Sequence, residues 1–74
     1  MALEPVPHTP SRNISAVLYD PEERKLVVWF AKNGRAYQYA DVPEDVALGF
    51  GQALSATEYL QTFIEGSFMA NRIV

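Results

Sequence analysis

Residues 26–39 read LVVWFAKNGRAYQY, two runs of β-branched and aromatic residues that meet at Asn33-Gly34. This pair is typical of a two-residue hairpin turn, because a type I′ turn needs a positive φ angle at both central positions. A hairpin alone is only marginally stable in water, so we expect the rest of the chain to add at least one strand and a covering layer. The sequence therefore predicts a β-hairpin on which the domain is built.

A two-residue turn also fixes which residues of the hairpin face each other. Phe30 would lie opposite Tyr37 and Val28 opposite Tyr39, and side chains alternate between the two faces of a strand. The predicted core face carries Leu26, Val28, Phe30, Tyr37 and Tyr39. The predicted outer face carries Val27, Trp29, Ala31, Ala36, Gln38 and Ala40.

The segment before the hairpin predicts a further strand. Residues 14–19 read ISAVLY and are followed by Asp20-Pro21, a pair typical of a turn. Ile14 and Val17 differ in parity, so either both faces of this strand are partly covered or a bulge lies between them. The expected fold is α+β, a three-stranded antiparallel β-meander packed by two C-terminal α-helices.

The first helix is predicted to start at Pro43, which suits the first helical turn and precedes two carboxylates that favour the positive end of the helix dipole. Val46, Phe50 and Leu54 recur every four residues and form its predicted buried stripe. Two glycines, at positions 49 and 51, predict a close approach to the sheet or to the next helix.

The second helix is predicted from a capping box at residues 55–58, SATE, in which the serine hydroxyl accepts a hydrogen bond from the backbone of Glu58. The helix should begin at Ala56 and end at Gly66, where a positive φ angle is needed. Its predicted buried stripe is Tyr59, Leu60, Phe63 and Ile64. The apolar residues after Gly66 should pack on the domain or form a partner surface.

The chain is expected to divide into a flexible arm, residues 1–10, and a single domain, residues 11–74. The arm contains three prolines and few large apolar groups. Its His8 has no second ligand or carboxylate nearby in the sequence, and we interpret it as a solvated side chain.

The motifs of residues 11–68 follow one another in an order that resembles the KTSC domain. This small module is named from its occurrence at the carboxyl end of some lysyl-tRNA synthetases and is also seen alone in bacterial and phage proteins. The matching motifs are Ser11-Arg12-Asn13-Ile14, Tyr19-Asp20-Pro21, Leu26-x-Val28-x-Phe30, Tyr37-x-Tyr39, Val42-Pro43, Ala53-x-Ser55 and Tyr59-Leu60. Leu18 and Thr57 stand where the family commonly has glycine. The resemblance implies a small module of this fold and does not imply an activity.

The composition argues against enzymatic and metal chemistry. The 74-residue chain has no cysteine and one histidine, so thiolate sites and serine or cysteine triads are unsupported. Asp41, Glu44 and Asp45 match no calcium loop and are interpreted as a solvated helix start. We therefore expect no catalytic residue, no metal and no cofactor.

Charge, size and hydropathy bear on partners and location. The net charge of −3 disfavours non-specific binding to nucleic acid. A domain of this size buries about 60% of its extended-chain surface, which favours association with a partner or a second copy. The longest apolar run is too short to span a bilayer and the first ten residues do not resemble a signal peptide, so a cytoplasmic protein is expected.

The candidate partner-binding residues lie in and around the hairpin. They are Trp29, Lys32, Arg35, Gln38 and Arg24. An exposed tryptophan beside arginine is typical of a protein interface, so the sequence predicts a non-enzymatic protein-binding module. Two further expectations are a phage origin and a host target such as RNA polymerase or a defence complex. The alternative is an RNA or single-strand binder that stacks bases on Trp29. The opposing interpretations are that helices or a second copy bury Trp29 and that the basic residues only solvate strand edges.

Overall fold

The structure is a computed structural model and describes residues 3–74. Five strands form one antiparallel sheet in sequence order. They are β1 (Glu4–Pro5), β2 (Ile14–Asp20), β3 (Lys25–Phe30), β4 (Ala36–Tyr39) and β5 (Ala70–Arg72). Helix α1 (Glu44–Leu48) continues into a 3₁₀ turn at Gly49–Gln52, and helix α2 (Ala56–Tyr59) continues into a π-helical segment at Leu60–Ile64.

The predicted α+β class, with an antiparallel sheet and two helices, is confirmed, but the predicted number of three strands is wrong. The two additional strands are short and lie at the sheet edges, where β1 pairs with β2 and β5 pairs with β4. Edge strands use few backbone hydrogen bonds and need no alternating apolar pattern. Two residues containing a proline and the three-residue run ANR therefore carry no strand signal in the sequence.

Residues 4–9 differ from the flexible arm that the prolines of residues 1–10 predict, and residues 1 and 2 of that arm lie outside the described residues. After β1, the Val6 N–H donates a hydrogen bond of 2.8 Å to the Val17 carbonyl, and the Val6 side chain is only 5% exposed. The Thr9 hydroxyl donates to the Ala53 carbonyl at 2.6 Å. Proline is tolerated in an edge strand because one side of that strand needs no donor. Residues 4–9 are thus attached to the sheet and to the helical side of the domain.

The hairpin forms with a register two residues away from the predicted one. Val28 faces Tyr37 and Leu26 faces Tyr39. The connection has four residues, 31–34, since the Phe30 N–H donates to the Arg35 carbonyl at 2.8 Å. Of the two turn residues predicted to have positive φ, only Gly34 does, at 69°.

Asn33 stabilises this longer loop through its side chain. Its Oδ1 accepts a hydrogen bond of 3.0 Å from the Arg35 N–H, as asparagine often does two residues before the donor. Because a shift of two residues preserves alternation, every hairpin residue keeps its predicted face.

A bulge lies in β2, as one of the two alternatives for Ile14 and Val17 predicts. Ile14 pairs with Phe30 and Ala16 with Trp29, so Ser15 is the extra residue. The bulge brings Ile14 and Val17 to the same side, and both are buried.

The helices are shorter than predicted. Ser55 Oγ accepts from the Glu58 N–H at 3.2 Å, which confirms the predicted cap, and α2 begins at Ala56. Leu54 lies beyond the end of the first helical segment and is 97% exposed, so its predicted burial is wrong. Phe63 is 54% exposed and lies outside the core for a different reason, because the π-helical segment rotates the stripe away from its 3.6-residue period.

The core lies between one face of the sheet and the helices. It joins Val17, Leu26 and Val28 of the sheet to Phe50, Leu60 and Ile64 of the helical segments. The Tyr19 hydroxyl donates to the Val42 carbonyl just before α1, which ties the sheet to the start of the helical layer. The inner sheet face is therefore the side committed to folding.

Candidate partner-binding surfaces

The outer face of the sheet lies opposite the helical layer and is mostly apolar at its centre, while Asp20 and Lys25 form a charged cross-strand pair at one end of it. Across it run two rows of residues in register, one through Leu18, Val27, Gln38 and Asn71 and one through Ala16, Trp29, Ala36 and Ile73. We call these eight residues the open face. Val27 and Ala36 are buried although neither belongs to the core cluster under the helices, so their neighbours on the open face cover them.

Trp29 lies at the centre of the open face and is half-buried. It pairs with Ala16 on one side and Ala36 on the other, two residues with small side chains. Its own carbonyl accepts from the Ser15 hydroxyl at 3.3 Å. No hydrogen bond within the described part of the chain involves the indole N–H, so this donor is available at the surface. The helices do not cover Trp29, in contrast to one of the interpretations weighed above.

The predicted basic residues do not gather beside Trp29. Lys32 is exposed in the hairpin loop and lines a cleft on the helical side together with Thr57 and Gln61. Arg35 is exposed at the start of β4, opposite Phe30. Only Gln38, half-buried in the row next to Trp29, shares the open face with it.

Arg24 lies at the other end of β3, in the turn after β2, with φ at 58°. Its carbonyl accepts from the Val42 N–H at 2.9 Å. Burial raises the pKa of Tyr19, and the nearby Arg24 side chain opposes that shift. The contacts of Arg24 therefore hold the start of the helical layer, and the structure separates it from Trp29 by the length of a strand.

Besides the open face, the structure has a cleft between the sheet and the turn after α2, which the sequence does not indicate. Its walls are aromatic and its rim is polar, and we call it the aromatic cleft. It has a volume of about 420 Å³ and is lined by Phe30, Tyr37, Tyr39 and Phe68 together with Asn33 and Glu65. The sequence predicts that the three hairpin aromatics are core residues. Alternation shows only which face they share, and it cannot tell a residue under the helices from one at the edge of the helical layer.

The electrostatics of the aromatic cleft depend on Glu65. Burial, then the Glu65 charge and Tyr37, raise the pKa of Tyr39 to about 12. Glu65 itself is exposed, and no ion pair with it is found within residues 3–74. The rim of the cleft thus carries a carboxylate that forms no ion pair within the described residues.

Residues 3–74 show neither a metal-binding cluster nor a helix that could span a membrane. Within residues 3–74, no cluster of three or more histidine, cysteine or acidic side chains is arranged to hold a metal ion. His8 is half-buried, and its Nδ1 lies 3.0 Å from the Thr9 carbonyl. None of the helices described is long and apolar enough to cross a membrane.

The fold and these surfaces define a small α+β module with helices on one sheet face and a mostly apolar opposite face. The chain belongs to the KTSC domain family, whose pattern matches residues 10–68. A similar solved structure is the KTSC domain protein YPO2434 from Yersinia pestis, which is 33% identical, with a TM-score of 0.87 over 99% of this chain and 100% of that one. No curated protein matches the chain.

Proposed function

We propose that this KTSC domain is a non-enzymatic protein-binding module that docks its partner on the open face. The observation that carries the proposal is the half-buried Trp29 at the centre of a sheet face opposite the helical layer. Tryptophan is enriched among residues that dominate binding energy, and such residues lie near the centre of an interface. Gln38 beside it supplies a polar group that can fix the orientation of a partner.

The charge distribution favours a protein partner over RNA. The two rows of the open face carry no charged residue, whereas binding to nucleic acid depends on neutralising phosphates. Lys32 lines a cleft on the helical side and Arg24 lies at the far end of the hairpin. A base stacked on Trp29 would therefore have no adjacent cation from these two residues for its phosphate.

We propose a cytoplasmic location on the absence of cysteine from the sequence, which suits a reducing compartment. A phage origin and a host target such as RNA polymerase or a defence complex stay predictions that rest on small size and stand-alone occurrence.

Photo-crosslinking from defined positions tests the proposal. A photoreactive amino acid at Gln38 should give a discrete adduct with a different protein in cells, whereas the same group at the exposed Phe63, on the helical side, should not. Adding Trp29→Ala should reduce the Gln38 adduct at least about tenfold, because losing a central tryptophan typically costs about 2 kcal/mol or more. Circular dichroism of each variant checks that the domain remains folded.

A second variant keeps the test decisive if Trp29→Ala weakens the fold. Gln38→Arg places a charge on the open face without removing core volume and should also abolish binding of the isolated partner. Equal adducts from both crosslinking positions, or an adduct of twice the chain mass, would count against a heterologous partner. Salt-sensitive binding of tRNA or single strands that is lost in Trp29→Ala would instead favour the nucleic-acid alternative.

A further inference from the structure

We propose that the aromatic cleft is a binding site for an organic cation, an ammonium or guanidinium group that would lie against its aromatic rings and beside Glu65. This site is on the helical side of the sheet and does not depend on the open face or on the function proposed for it.

The walls of the cleft supply the first part of the recognition. The rings of Phe30 and Tyr37 meet edge to face, with centroids 5.7 Å apart and planes at 84°, and Phe68 adds a third ring to the lining. The negative face of an aromatic ring attracts a cation, and several rings around one volume are the usual arrangement for an alkylammonium group.

Glu65 supplies the second part. Its carboxylate lines the cleft, is exposed, and forms no ion pair with another residue of the described chain. Its charge reaches the floor of the cleft, since it contributes to raising the pKa of Tyr39. A cation in the cleft would therefore lie among aromatic rings and beside a carboxylate, whereas an anion such as a phosphate would be repelled.

No lysine, arginine or histidine lines the aromatic cleft, which leaves its volume of about 420 Å³ to a ligand. A pocket of this size accommodates one small ligand or one long side chain. Lys32 lines the adjoining cleft, which shares Phe30, Asn33 and Glu65 with this one, and Arg72 lies opposite Tyr37 in the edge strand. Both are like charges for the proposed ligand, so each should weaken its binding.

Titration followed by NMR tests the site with two probes of equal shape. Choline carries the cation, and 3,3-dimethylbutanol is its neutral counterpart. We expect choline to shift the resonances of Phe30, Tyr37 and Phe68 and to bind about 3- to 30-fold more tightly than the alcohol, the range expected for cation–π contacts. Equal affinity of the two probes, or shifts confined to other parts of the domain, would overturn the proposal.

Charge variants test the role of Glu65 without removing core volume. Glu65→Gln should weaken choline binding several-fold while the rings retain part of the preference over the neutral probe, and Glu58→Gln, at an exposed carboxylate on α2 outside the cleft, should leave the affinity unchanged. Lys32→Gln should strengthen binding because it removes a like charge. An unchanged affinity in Glu65→Gln would overturn the proposal even if choline binds.

The source of the cation is distinguished by a third probe. N-acetylarginine methylamide represents a basic side chain of a protein, and choline represents a free small cation. Tighter binding of the blocked arginine supports recognition of a partner's side chain, and tighter binding of choline supports a free ligand. Both outcomes support the cation site, whereas failure of all charged probes to bind would refute it independently of any result for the open face.

Discussion

Tyr39 shows at the scale of one residue how folding and the candidate site share the same atoms. Its ring belongs to the core cluster, and it also lines the aromatic cleft. Burial, followed by the charge of Glu65 and by Tyr37, raises its pKa from 10.0 to about 12. A pKa that is higher in the folded state than in the unfolded state makes stability depend on pH between the two values.

The sign of this dependence gives a prediction for Tyr39. Below pH 10 the hydroxyl is protonated in both states, and the stabilisation is fully present. Between pH 10 and about 12 the unfolded chain loses the proton first, so the free energy of unfolding should fall as pH rises. Tyr39→Phe should show a shallower fall in denaturant titrations over this range.

NMR titration of the tyrosine rings provides the direct measurement and its control. Tyr39 should titrate near 12 in the wild type and at a lower pH in Glu65→Gln, because one cause of the shift is removed. A Tyr39 that titrates at its ordinary value in both proteins would contradict the electrostatics described for the aromatic cleft.

Single residues also show where sequence reasoning about the site ends. The position of Trp29 on the outer face follows from alternation along β3, and the structure agrees. The separation of Lys32 from Trp29 does not follow from alternation, because the direction of a loop side chain depends on the loop conformation. Alternation places Phe30 and Tyr37 on the correct face, but how far the helices extend over that face depends on tertiary packing.

At the scale of elements, the hairpin shows why faces are easier to predict than register. Asn33-Gly34 fits a two-residue turn and also a four-residue loop in which only the glycine needs positive φ. The strand pairing that one loop produces is shifted by two residues from the pairing that the other produces. Each side chain therefore lies on the same sheet face in both cases. The strands β1 and β5 could not be predicted, since their pairing uses backbone groups that every residue has.

The contact between the two helical segments gives a prediction for Gly49. A Cβ atom there would overlap the Tyr59 hydroxyl and its ring. That hydroxyl donates to the Val46 carbonyl at 2.7 Å, and the ring packs on Phe50 with centroids 4.7 Å apart. Gly49→Ala should therefore lower the free energy of unfolding by about 1–3 kcal/mol, the usual cost of overpacking.

Gly51 provides the matched control for this experiment. It lies in the same 3₁₀ turn, but the nearest atom to an added Cβ is the Pro7 carbonyl oxygen at 3.4 Å, an ordinary contact. Gly51→Ala should change stability by less than about 0.5 kcal/mol. Adding Tyr59→Phe to Gly49→Ala should recover part of the loss, because it removes the colliding hydroxyl. Equal melting temperatures for the two single alanine variants would contradict the proposed contact.

At the scale of the whole molecule, the small size of the domain makes every edge contribution important. A chain of 74 residues has a net stability of only a few kcal/mol. One sheet face is covered by two short helices. On the open face, stability comes only from the apolar area that its side chains bury against one another. Residues 4–9 add a strand, a buried valine and a hydrogen bond to the helical side.

These contacts predict that the first strand is required for the stability of the whole domain. Val6 is 5% exposed and contacts the core, whereas Leu3 is 46% exposed on the same segment. Val6→Ala removes about two buried methylene equivalents and should cost about 1.5 kcal/mol or more. This should lower the melting temperature by roughly 6–12 °C, as expected for a domain of this length.

Leu3→Ala is the control, because it removes an apolar side chain from the same segment at a position that is largely exposed. It should shift the melting temperature by less than half the shift of Val6→Ala. Thr9→Val tests the second attachment, because it removes the hydroxyl that donates to Ala53 while keeping the shape of the side chain. Val6→Ala and Thr9→Val each remove a contact that a flexible arm would not make. If Val6→Ala and Thr9→Val both melted at the wild-type temperature, the segment would be independent of the domain in solution, and the sheet would depend on β2–β5 alone.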